Sequence, residues 1–303
     1  MRSLLAQALP KLPLFGRVVL DGQGQFRSGF LVAFVISTGQ SEQRPQKGIG
    51  RLIGLWKVAR ALPLTAHSRY DGSVETVLLA THNRHKVEEL RRILGRELDY
   101  RILTDWPDPP RLEETGTTFV ENATAKVRQV LEWLKTRLDT DERAQFESPW
   151  WVLADDSGLE VDALNGLPGV YSARFAALDS GSGGNSPDAE NNAKLLRLLQ
   201  DVPEPARRAR FRCVIAVGRW PWSGGPIPLR WFEGVCEGRV LKEPRGLGGF
   251  GYDPLFQPEG YDQTFAEMQP ELKNRISHRA RALAKLAHWW QQHGGPKAPA
   301  IER

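Results

Sequence analysis

Trp151-Val152-Leu153-Ala154-Asp155-Asp156-Ser157-Gly158-Leu159 is the stretch on which the reading of this chain turns. Four apolar residues have the length and composition of a short buried strand, here Trp151 to Ala154. Two adjacent acids follow, then Ser157-Gly158. Acids at the end of a buried strand are costly unless a cation or hydrogen-bond donors satisfy them. In open α/β sheets that end is also where ligands bind. Magnesium takes one or two protein carboxylates and lets phosphate oxygens fill its octahedron, so Asp155-Asp156 is a candidate metal and catalytic site. The plainer alternative is an Asx turn closing the strand, with Gly158 supplying a positive φ.

Upstream, Val77 to Ala80 is another short apolar run, leading into the polar turn Thr81 to His85. Val87, Leu90, Ile93 and Leu94 then mark one face of a helix that Gly95 should stop. The segment Thr81-His82-Asn83-Arg84-His85-Lys86 therefore lies at a strand-to-helix junction. Free N–H groups and the positive helix end favour phosphate there, and Lys86 adds a charge. No glycine opens this loop, and Asn83 could equally serve as an ordinary helix cap. Tyr100 to Leu103 is a second candidate strand.

Thr118 and Glu121 have the spacing of a capping box and open a helix with Phe119, Ala123, Val127, Val130, Leu131 and Leu134 on its buried face. Asn122 and Lys126, four apart, share one side of it, and Glu113-Glu114 precede it. Asp139 to Pro149 reads as a loop, as does the Gly/Ser-rich stretch Ser180 to Pro187. A helix from about Asp188 carries Ala193, Leu195, Leu196 and Leu199. Phe211 to Val217 and Leu229 to Val235 suggest an antiparallel pair joined by a Ser-Gly-Gly-Pro turn. Gly246 to Pro254 is dense in glycine, so backbone can approach a ligand, with Phe250 as a stacking face and Asp253 as an acceptor. A last helix begins after Ser277 with Ile276, Ala280, Leu283, Leu286 and Trp290 in register. His278 and Arg279 at its start oppose the helix dipole, which argues for an anionic ligand there. Alternating strands and helices with one antiparallel excursion give an α/β fold with a mixed sheet.

In this order the blocks T-x-N-x-x-K, E-E-T-G-x-T-F-x-E-N-A-x-x-K, A-D-D-S-G-L-x-V-D-A-L-x-G-x-P-G-V-Y-S-A-R, G-G-F-G-Y-D-P-x-F and I-S-H-R resemble the non-canonical purine NTP pyrophosphatases, the inosine triphosphatase or dITP/XTP pyrophosphatase group, over about Val74 to Trp290. The resemblance implies an elongated mixed sheet in two lobes flanked by helices, with the active site in the cleft between them. It implies Mg2+ as cofactor and a homodimer. Asp156 is then the catalytic residue and a metal ligand, with Glu114 the second metal ligand. Thr81, His82, Asn83, Arg84, His85, Lys86 and Lys126 would hold the triphosphate, and Ser157 would contact substrate. Phe250, Gly251, Tyr252, Asp253, Lys273, His278 and Arg279 would form the base and sugar side. The chain departs from the family where His82 and His85 stand, since many relatives have glycine there. A pyrophosphatase for modified pyrimidine triphosphates is the nearest rival reading.

Composition bounds the rest. The net charge is +5, yet residues 1–72 hold 10 Lys/Arg against 3 Asp/Glu, leaving the remainder slightly acidic. A body built to hold nucleic acid would carry the excess itself, so nucleic acid is not an expected partner; the rival in which the basic segment binds it is the weaker one. Residues 1–72 show no sustained period and read as a poorly ordered extension, 73–295 as the enzyme domain and 296–303 as a tail. No run approaches a membrane span. Cys213 and Cys236 form no C-x-x-C pair, and a cytoplasmic location is expected.

Overall fold

Short and long strands share one sheet. The computed structural model describes residues 75–137, 149–181, 184–221 and 226–296, all within one folding unit, Tyr70–Arg303. In chain order the elements are β1 (Thr76–Leu79), α1 (Arg84–Leu94), β2 (Asp99–Ile102), α2 (Phe119–Arg137), β3 (Trp150–Val161), α3 (Ala177–Ser180), α4 (Asp188–Leu198), β4 (Arg208–Trp220), β5 (Arg230–Val240), β6 (Phe256–Pro258), α5 (Pro270–Ile276) and α6 (His278–His293). The sheet order is β2-β1-β3-β4-β5-β6. β1 pairs in parallel with β2 and β3, and the remaining pairs are antiparallel. This is the expected α/β class with a mixed sheet flanked by helices.

Side chains of a strand alternate between faces, and the core follows that rule. Val77, Leu79, Trp151 and Leu153 join Leu90 of α1 and Leu283, Leu286 and Trp290 of α6 on one face. Leu78, Trp150, Val152 and Ala154 join Ala123, Val127, Val130 and Leu134 of α2 on the other. A third cluster lies beyond them, where Leu159, Val161, Phe211 and Cys236 meet Phe256, Phe265 and Leu195 of α4.

One expectation is corrected at the decisive stretch. The strand does not end at Asp155: it runs on to Val161, paired with β4 throughout. Only its parallel partner ends, with Leu79 opposite Leu153. Asp155 and Asp156 therefore sit mid-strand, at the point where one edge of β3 loses its neighbour. Gly158 is not a positive-φ turn residue either. A Cβ there would collide with the Gly169 carbonyl oxygen and lie 2.5 Å from Ser172 Oγ, so close approach of backbone is what requires glycine.

Smaller differences have local causes. Leu103 begins a 3-10 turn rather than closing β2. Ala193 is exposed, and the covered side of α4 is Asn191, Lys194 and Leu195. Both antiparallel strands run further than the apolar residues suggested, and Arg210 pairs with Glu237 across the added part of the ladder. Gly95 does cap α1 with a positive φ, and the capping box of α2 forms, with Glu121 N donating to Thr118 Oγ1 and Thr118 N to the Glu121 carboxylate. The expected extension 1–72, most of the loop 139–149, the centre of the Ser-Gly-Gly-Pro turn and nearly all of the tail lie outside the described residues.

Candidate active site

Alternation along β3 sends the two adjacent acids to opposite faces of the sheet. Asp155 follows Leu153 toward α1 and α6, while Asp156 follows Ala154 toward α2. Each meets its own set of cations there.

Asp156, 6% exposed, accepts from Lys126 Nζ at 3.0 Å and from Asn122 Nδ2 at 3.2 Å. Those two donors are one turn apart on α2, the face that the i, i+4 spacing predicts. Lys126 also donates to Glu114 Oε1 at 2.8 Å and to the carbonyl of Asp155 at 2.7 Å. Burial pushes the Asp156 carboxyl above its ordinary value, outweighing Lys126 and Lys86, and Glu114 adds to the rise. Glu114 is also partly desolvated, but Lys126, Lys86 and Arg174 hold its carboxyl below the usual range. Two neighbouring carboxylates with proton affinities driven apart are the pattern of an acid–base site. Their oxygens also converge within 3.0 Å of one point, the Lys126 ammonium. Two oxygen ligands fit the protein share that magnesium takes. Among the described residues no cluster of three or more His, Cys, Asp or Glu forms a metal cage.

Asp155, 2% exposed, is a hub for cations from two helices. Lys86 Nζ lies 2.5 Å from Oδ1, and Arg279 Nε 2.8 Å from Oδ2. Ser157 Oγ donates to Oδ1 at 2.9 Å and accepts from Arg279 Nη2 at 3.0 Å, while the Cys213 thiol donates to Oδ2. Burial opposes the charge of Asp155, yet Arg279 and Lys86 hold its carboxyl well below the ordinary range.

Beside it, Glu89 of α1 is bound to Arg279 Nη1 and accepts from Lys273 Nζ at 2.8 Å. Lys273 in turn donates to Asp253 Oδ2 at 2.6 Å, and its ammonium lies 5.1 Å from the Phe250 ring centre. Asp253 also accepts from Phe250 N at 2.9 Å, which requires Gly249 at φ 72°, since a Cβ there would strike the Asp253 carboxylate.

The remaining candidates fall into three groups. In the segment Thr81 to Lys86, Asn83 Oδ1 accepts from His85 N at 3.0 Å and Lys86 N at 3.2 Å, and Thr81 Oγ1 accepts from Asn83 N. The helix start thus offers fewer free N–H groups than the sequence suggested. His82, Arg84 and His85 are exposed, with the His85 ring stacked on Phe250. In the glycine-rich segment, Gly251 N donates to Asp188 Oδ2 at 2.6 Å. Tyr252 is buried in the third core cluster and spends its hydroxyl on the Ser172 carbonyl, so its ring packs rather than faces the cleft. At the start of α6, the expected uncompensated positive charge is corrected. Burial drives the His278 imidazole to its neutral form, stacked on Phe211 at 4.7 Å. Arg279, 1% exposed, already has its anions in Asp155 and Glu89.

Sequence reasoning missed Glu89, Arg174 and Cys213 as partners in this network. Glu89 was findable: it lies three residues after Lys86, on the same side of α1. Arg174, whose guanidinium reaches Glu114 at 3.4 Å, closes the long motif that begins at Ala154 but was given no role there, while Cys213, opposite Ser157 in the ladder, gave no local signal.

Residues 77–289 match the Ham1 family. A dITP/XTP pyrophosphatase of Desulforamulus reducens is 48% identical over 211 residues, spanning 69% of this chain and 92% of that relative. Another from Halalkalibacterium halodurans is 45% identical over 213 residues, spanning 70% of this chain and 97% of that relative. Among solved structures, a HAM1 protein from Coxiella burnetii superposes with a TM-score of 0.57 at 38% identity, covering 72% of this chain and 100% of that one.

Proposed function

The chain belongs to the Ham1 family, and on that premise we propose that it hydrolyses aberrant purine nucleoside triphosphates, namely ITP, dITP and XTP, to the monophosphate and pyrophosphate. The observation that carries the chemistry is the buried Asp156 carboxylate, raised in proton affinity and held by Lys126 and Asn122. Such a group takes a proton from water more readily than an ordinary aspartate, and a fixed carboxylate orients the attack on the α-phosphorus. Charge builds on phosphate oxygens, so the protein's main task is positioning and neutralising it.

Lys86 and Lys126 supply positive charge on the two sides of β3. Both are paired with carboxylates, and a triphosphate would exchange those contacts for its own oxygens. Glu114 and Asp156 would hold a magnesium ion, which supplies further stabilisation of the phosphate charge. Arg279 is a purely donating group held from two sides, suited to the 6-keto oxygen of hypoxanthine or xanthine, whereas the adenine amino group offers it no acceptor. Arg279 is already paired with Asp155, Glu89 and Ser157, so a 6-keto oxygen would have to take the place of one of them. A homodimer and a cytoplasmic location belong to the same proposal, the latter in keeping with two free, buried cysteines. No described helix is long and apolar enough to cross a membrane.

The test is a screen of purified protein against nucleoside triphosphates with pyrophosphate detection. ITP, dITP and XTP should be turned over far faster than ATP, GTP or modified pyrimidine triphosphates. A preference for the pyrimidine compounds would overturn the reading.

A further inference from the structure

His85 stands in the first turn of α1, on the phosphate side of the site, yet its imidazole reaches across to the glycine-rich segment. It lies parallel to the Phe250 ring, 5.3 Å between centres and 16° between planes. Phe250 is the half-buried aromatic of that segment, flanked by the Lys273 ammonium at 5.1 Å and the Arg279 guanidinium at 6.0 Å. A ring so placed, with donors beside it, is a natural platform for a flat heteroaromatic base, and the imidazole is itself one. A purine inserted between the two rings would need about 9 Å between their centres, two stacking distances at the close end of the aromatic range. The gap present does not admit it.

We infer that His85 is a substitute for the base: in the free enzyme its imidazole covers the face of Phe250, and the purine must displace it to bind. The inference rests on the pyrophosphatase reading above, in which Phe250 belongs to the base side. Three observations make displacement feasible. His85 is exposed. Its backbone N–H is held by Asn83 Oδ1, so the side chain can swing without disturbing the helix start. The ring's described partner is Phe250. The His85–Phe250 contact must break before a base can stack on Phe250. It weakens the binding of substrate and of the monophosphate product by the same factor, because both must break it.

The experiment compares wild type with His85→Ala and His85→Phe, using ITP turnover for KM and calorimetric titration of IMP for product affinity. Loss of one aromatic pair corresponds to about a two- to tenfold change. KM for ITP and Kd for IMP should therefore both fall by that factor in H85A. In H85F, which keeps a ring for Phe250, both should return to or exceed the wild-type values. Unchanged or raised KM and Kd in H85A would overturn the inference, showing that the imidazole is neutral toward substrate or helps to hold it. A wild-type enzyme that turns over no ITP would sink the activity reading instead, while the IMP titration would still report on His85.

Discussion

Asp156, the residue proposed to carry the chemistry, is held in its site at the cost of stability. Burial and Glu114 together outweigh two lysines, so the ionised form is disfavoured in the folded protein. Asp156→Asn keeps the shape, removes the charge and leaves Lys126 paired with Glu114. It should cut kcat for ITP by more than tenfold, about 1.4 kcal/mol, without lowering the melting temperature at neutral pH. A variant with near wild-type turnover would show that another group activates the water. Glu89 is the opposite case. Burial works against its charge, but Arg279 and Lys273 bring its carboxyl from the ordinary 4.5 down to about 2. A folded-state value below the unfolded one stabilises above the unfolded value, so Glu89 contributes about 3 kcal/mol at neutral pH. That contribution fades as the pH falls from 4.5 toward 2. Thermal melts across acid pH should show Glu89→Gln well below wild type at neutral pH, with the gap closing under pH 4.5; a gap independent of pH would refute the pairing.

Among the elements, α6 bears the greatest responsibility for the site, because its first turn carries His278 and Arg279. It can lie directly on β5 only because position 234 has no side chain. A Cβ on Gly234 would sit on the His278 carbonyl oxygen and 2.5 Å from Ala282 N. Ser277 caps the helix through Ala280 N at 3.2 Å, while Leu283, Leu286 and Trp290 anchor the rest in the core. Gly234→Ala should therefore tilt the start of α6 outward and drag Arg279 from Asp155. The expected cost is about 1–3 kcal/mol of stability, with a loss of ITP turnover larger than the fraction unfolded explains. Wild-type melting and turnover would mean that the helix has slack to accommodate the methyl group. The long strands β3 and β4 make the corresponding contribution on the sheet side. By continuing past β1 they carry Asp155, Asp156, Ser157 and Cys213 into the open edge.

Over the whole molecule, the relatives align along 92–97% of their own length with just over 210 residues of this chain. The described elements that build the site also lie between Thr76 and His293. The basic excess resides in residues 1–72, outside that span. Residues 73–303 alone should therefore fold, hydrolyse ITP with the full-length kcat and melt within a few degrees of the complete protein. Aggregation or a clearly lower melting temperature would assign the first 72 residues a structural part, with the apolar run Phe30 to Ile36 as the segment to examine.

Beyond what the family resemblance implied for Asp156, Lys126 and Glu114, local patterns determined the class of fold, most of the helix faces and the caps at Thr118 and Gly95. Those follow from hydrophobic period and from charges set at helix spacing, information that lies within a few residues of each position. The length of β3 was not legible, because polar residues inside a strand look like its end until a partner ladder is seen to continue beside them. Nor was the division of Asp155 and Asp156 between opposite faces, which follows only once both are known to be in one strand. The pairing of Arg279 with Asp155 and Glu89 joins residues 124 and 190 positions apart. Only packing of α1 and α6 on the same face of the sheet brings those charges together, and that decided that the positive start of α6 is neutralised from within the protein.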